Sequence, residues 1–73
     1  MQQYKNLSGR SAVTHYEIQV DRILILFKNN SDIYIYPEYL TGSEHLKNLK
    51  SCAINGSGLG AYIMNNVKSK FIK

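Results

Sequence analysis

Tryptophan is absent from this chain, and cysteine and proline each occur once. A single cysteine, Cys52, excludes an internal disulfide. It lies among Leu49, Ala53 and Ile54, where a reduced, buried thiol is expected, as in a cytosolic protein. Long apolar runs are missing too. The longest aliphatic and aromatic stretch, Ile23 to Phe27, falls far short of the roughly 20 residues that cross a bilayer. The first residues, MQQYKNLSGRSA, lack the apolar segment of a secretory signal. A cytoplasmic protein without membrane attachment is expected.

Carboxylates are also scarce, at five against nine lysines and arginines, a net charge of +4. A positive balance favours polyanions such as nucleic acid, nucleotides or an acidic protein surface. Residues for catalysis are thin. Neither His15 nor His45 stands at metal-ligand spacing from Cys52 or a carboxylate. No Gly-x-Ser-x-Gly elbow and no carboxylate pair flanking a cleft is present. A non-catalytic protein without metal or cofactor is expected.

What is present is a small domain. At 73 residues a single core is only marginally stabilising, and oligomerisation is a common support. Phe, Tyr, Met, Ile, Asn and Lys supply 32 residues, a bias towards AT-rich codons that suits a bacterial or phage genome.

Residues 1–9 carry no periodicity and are expected to form a flexible arm, with one domain over residues 10–73. From Ala12 to Val20 alternate residues share a side, with Ala12, Thr14, Tyr16, Ile18 and Val20 opposite Val13, His15, Glu17 and Gln19. A turn at Asp21-Arg22 leads to a second strand, Ile23 to Lys28. Asn29-Asn30-Ser31 forms a turn, and Asp32 to Tyr36 a third strand ended by Pro37. Two helices follow. Thr41 and Glu44 have capping-box spacing, Leu46, Leu49 and Ala53 share a helical face, and Asn55-Gly56 stops the first helix. Leu59, Ile63 and Val67 mark the second. The expected fold is α+β: a three-stranded antiparallel meander with two helices on one face, βββαα.

From about Arg10 to Phe71 the chain resembles the KTSC domain family, named for the C-terminal extension of some lysyl-tRNA synthetases and found also as free-standing bacterial and phage proteins. Its Tyr-x-Tyr is matched by Tyr34 and Tyr36, its early serine by Ser11, and its first-strand tyrosine by Tyr16. Ile23, Ile25 and Phe27 match its second strand, and Gly58, Leu59, Tyr62 and Ile63 its glycine-led helix. Two asparagines of that helix motif are replaced by Gly60 and Met64, so no polar role carries over there. The turn before Tyr34 is one residue longer than the family's. The resemblance implies a small α+β domain with a role in RNA binding and no catalytic residues.

Several site readings follow. Gly56 to Gly60, GSGLG, is either a helix–helix turn or a phosphate cradle lacking the P-loop lysine. Tyr34 and Tyr36 are either core residues beneath the helices or stacking platforms for bases. Together with Arg10, Ser11, Gly58, Lys68 and Lys70 they form the candidate site for nucleic acid or a nucleotide. If Ile23, Ile25, Phe27, Tyr34 and Tyr36 face the helices, then Leu24, Leu26, Ile33 and Ile35 form a second apolar face. The helices have apolar surface for one face only, and monomers rarely tolerate such a patch. Leu24, Leu26, Ile33 and Ile35 are therefore the expected interface of a homo-oligomer, most simply a dimer. Two functions stay open: a binding module for RNA or other nucleic acid, or a phage-encoded oligomeric protein that sequesters a nucleotide signal or blocks a host protein.

Overall fold

The computed structural model describes residues 1–73 as a four-stranded antiparallel sheet with helices on one face. The strands are β1 (Gln2–Gln3), β2 (Val13–Gln19), β3 (Arg22–Phe27) and β4 (Ile33–Pro37), in the order β1-β2-β3-β4. Helices α1 (Glu38–Thr41), α2 (Ser43–Asn55) and α3 (Leu59–Tyr62) follow, and α3 runs into a π-helical turn, Ile63–Val67. No helix is long and apolar enough to cross a membrane.

Ile23, Ile25 and Tyr36 lie beneath the helices at 0–1% exposure, as their alternation predicts. They meet Leu46, Leu49 and Ala53 of α2 and Leu59, Ile63 and Val67 of the last helical segment in one buried cluster. Each large aliphatic removed from water there contributes about 1.5–3 kcal/mol. Phe27, Tyr34 and Phe71 pack against the cluster's edge.

Three features depart from the sequence reading. The expected arm at residues 1–9 supplies β1, which pairs Gln2 with Tyr16 and Gln3 with His15. Beyond it Tyr4 is buried and meets Tyr16 edge-to-face at 6.5 Å. The sheet therefore has four strands rather than three. A two-residue polar strand has no periodicity to read, and its stability comes from backbone pairing with β2.

The register of β2 shifts between Val13 and His15. The extra residue carries Val13 onto the core face beside Tyr16, while Ala12 stays exposed. One inserted residue reverses the parity of everything beyond it.

The capping box at Thr41 does not form. Thr41 closes α1, is buried, and donates its hydroxyl to the Pro37 carbonyl at 3.2 Å. Gly42 stands before α2 instead, with no side-chain cap. The helical region thus has an additional short turn, α1, between sheet and α2.

At the far end of α2, Gly56 adopts left-handed dihedrals, φ 77° and ψ 19°. A Cβ there would stand 2.6 Å from Lys5 Cβ, so both backbone angle and close approach require glycine. Leu7 N–H donates to Gly56 O at 2.8 Å, tying the N-terminal segment to the helices.

Leu24, Leu26, Ile33 and Ile35 occupy the outer sheet face, and the helical side chains of the buried cluster belong to the opposite face. Ile33 is 41% exposed, and the other three are half-buried. Near the C-terminus, Ile72 exchanges two backbone hydrogen bonds with Ile35 and extends this row.

Candidate functional site

The loop between β1 and β2 is organised by one side chain. Asn6, at φ 52°, donates from Nδ2 to Ser11 O at 3.2 Å and accepts from Ser11 N–H at 3.1 Å. Gly9 N–H donates to Asn6 O, and Arg10 N–H to Ser8 Oγ. These bonds fold residues 6–11 into a closed loop that presents Ser8 and Arg10 at the surface. Ser11 Oγ accepts from Val13 N–H at 3.1 Å, leaving the hydroxyl proton without a partner in the chain.

Across from this loop runs the segment from Gly58 to Met64. A Cβ on Gly60 would stand 3.0 Å from Ser11 Oγ, so glycine lets the helix approach the loop closely. Between them opens a cleft of about 450 Å³, to which Arg10, Ser11, Phe27, Gly58, Ile63 and Met64 contribute. Its floor is apolar and includes the half-buried Phe27 ring. Its charged wall is Arg10, which makes no ion pair, and none of the chain's five carboxylates lines it. Lys28 follows Phe27, and its amide donates to Ala12 O at 2.6 Å, so the backbone of a second cationic residue stands at the rim.

Three expected site residues, Arg10, Ser11 and Gly58, therefore meet in one place. The other four do not line the cleft. Tyr36 is 1% exposed, and its ring is enclosed by core. Burial, helped by neighbouring Tyr34, pushes its hydroxyl up to about 12. Tyr34 is half-buried, with Phe27 at 5.0 Å, Phe71 at 4.7 Å and the Lys73 ammonium 5.1 Å over its ring. Neither tyrosine is a free stacking platform. Lys68 and Lys70 are exposed beyond the π turn. Phe27 and Met64 are the site residues that the sequence reading missed, having placed Phe27 in the core and Met64 as a departure from a motif.

Away from the cleft, Tyr62 Oη shares a 2.6 Å hydrogen bond with His45 Nδ1 and accepts from Asn48 Nδ2 at 2.9 Å. This cluster joins α2 to α3 and contains no carboxylate. A second depression, beside Met1, Tyr16 and Ile54, has Glu17 as its only charged side chain, which suits an anion poorly.

Comparison with protein-family models, with curated proteins and with solved structures finds no match to this chain.

Proposed function

We propose that this protein is a non-catalytic binding module for single-stranded nucleic acid, RNA first, and that the Arg10 cleft is where it holds the strand. The observation that carries the reading is the combination in one cleft of an unpaired guanidinium, a free hydroxyl proton and an aromatic, apolar floor without carboxylates. A base needs an apolar surface to lie against, and its phosphate needs a cation and a donor. Phe27, Ile63 and Met64 provide the first, and Arg10 and Ser11 the second. The net charge of +4 adds a long-range attraction. The resemblance to KTSC domains supports the same reading.

The cleft's size favours one alternative. A volume near 450 Å³ suits one nucleotide unit better than a tracked strand, so a free nucleotide is the second ligand class. On that reading the protein is an oligomeric interaction protein that sequesters a nucleotide signal, or one that blocks a host protein.

Fluorescence anisotropy with labelled mixed-sequence RNA and DNA oligomers tests the proposal. Neutralising two or three phosphates should weaken binding about 25- to 125-fold for a tenfold rise in salt, from a slope of about −0.7 per phosphate. Competition by free mononucleotides at comparable concentration would instead favour the second ligand class. No binding at low salt and tens of micromolar protein would contradict both.

A further inference from the structure

We propose that two copies of this chain pack through their outer sheet faces about a two-fold axis that runs across the strands between Leu24 and Leu26. This inference is independent of the nucleic-acid reading.

The register of the sheet carries it. Strand pairing places Glu17 beside Leu24 and Leu24 beside Ile35. One step along, His15 lies beside Leu26 and Leu26 beside Ile33. The middle of the outer face is therefore two parallel rows with the same order of chemistry: a polar residue on β2, leucine on β3, isoleucine on β4. Gln19, Arg22 and Pro37 flank these rows in the next register, and Gln3 flanks them beside His15. A two-fold axis between the rows lays each row of one copy over the other row of its mate. Leu24 then meets the second copy's Leu26, Ile35 meets its Ile33, and Glu17 meets its His15. Like falls on like, and the one acidic side chain falls on the imidazole.

Three observations favour a second copy as the occupant. The face is aliphatic and no helix covers it, with Ile33 41% and Ile72 38% exposed. Next, His15 Nδ1 is the only buried side-chain nitrogen or oxygen without a hydrogen-bond partner in the chain, and such groups are normally satisfied. A half-turn of the ring would offer that nitrogen to the second copy's Glu17. Finally, Glu17 is itself half-used: Gln19 Nε2 donates to its Oε2 at 2.8 Å, leaving Oε1 free to accept. Stacked sheets cross at about 30°, which displaces neighbouring strands by only about 3 Å, less than the spacing between the rows. The matched rows survive that tilt, and the cleft, bordered by the helices on the other face, stays open.

Light scattering across micromolar concentrations should give twice the chain mass. Leu26→Glu would place a charge opposite apolar side chains on both sides of the axis. It should raise the dimer dissociation constant more than about 100-fold. Ile54→Glu, on the helical side and 59% exposed, should leave the dimer intact. Circular dichroism checks that Leu26→Glu folds. If it does not, the half-buried polar pair decides the matter. Glu17→Lys should weaken the dimer at least about tenfold, and adding His15→Glu should restore it by exchanging the partners. A wild-type monomer at every concentration would overturn the proposal. So would a dimer indifferent to both Leu26→Glu and Glu17→Lys. Loss without restoration in the double variant would overturn the two-fold register.

Discussion

Truncating Tyr36 to alanine is expected to remove about 3–5 kcal/mol of stability, as large aromatic-to-alanine changes in cores do. A domain of 73 residues has only about 4–11 kcal/mol in total, so the change removes a large share of the stability and should shift the unfolding midpoint to much lower denaturant. Tyr36 is 1% exposed, pairs with Ile23 across the sheet, and packs its ring 5.8 Å from Phe71. Tyr36→Phe should change stability by less than about 1 kcal/mol, because the hydroxyl makes no hydrogen bond within the chain. Denaturant unfolding separates the two variants.

The same residue fixes a pH dependence. Its folded-state value lies near 12 against an ordinary 10.0. Above pH 10 the unfolded chain releases this proton while the folded chain keeps it, so stability falls as pH rises. The loss runs from about pH 10 to about pH 12 and amounts to roughly 3 kcal/mol. Tyr36→Phe should abolish that share of the loss. A tyrosine without fold-dependent ionisation would show no such difference and would place the ring outside the core.

Reversing Arg10 to glutamate is expected to weaken oligonucleotide binding by about 10- to 100-fold at low salt, since it removes one phosphate contact and adds a repulsive charge. The salt slope should become shallower by about one phosphate. Arg10 is exposed and unpaired, so thermal unfolding should be unchanged. Lys47→Glu makes the same change in net charge on the exposed surface of α2, outside the cleft. It should cost far less. Equal losses in the two variants would mean that overall charge, and not the cleft, holds the ligand.

How far these features can be read from sequence depends on how local their causes are. The two isoleucines of β3 and the second tyrosine of β4 alternate with a period of two, and their burial follows from that pattern. Leu59, Ile63 and Val67 have helical spacing and are all buried, even though the last turn winds as a π-helix. β1 was illegible because two glutamines carry no pattern. The bulge near Thr14 was illegible because a single extra residue leaves composition unchanged while reversing the faces around it. Thr41 had the right spacing for a cap, but α1 closes on it first and takes its hydroxyl. The cleft mixes both kinds of cause. Arg10, Ser11 and Gly58 stand out by charge, position and glycine. Phe27 and Met64 join them only because the Gly60 backbone approaches Ser11 across nearly fifty residues of chain, a contact without a local signal.

The most direct test of the central claim is an amide chemical-shift map of the isotopically labelled protein titrated with a short single-stranded RNA. The account predicts that the largest perturbations fall on residues 8–12, on Phe27 and Lys28, and on residues 58–64. The outer face of the sheet should stay silent. Perturbations confined to Lys68–Lys73 or to Leu24, Leu26, Ile33 and Ile35, or a spectrum that does not change, would contradict it.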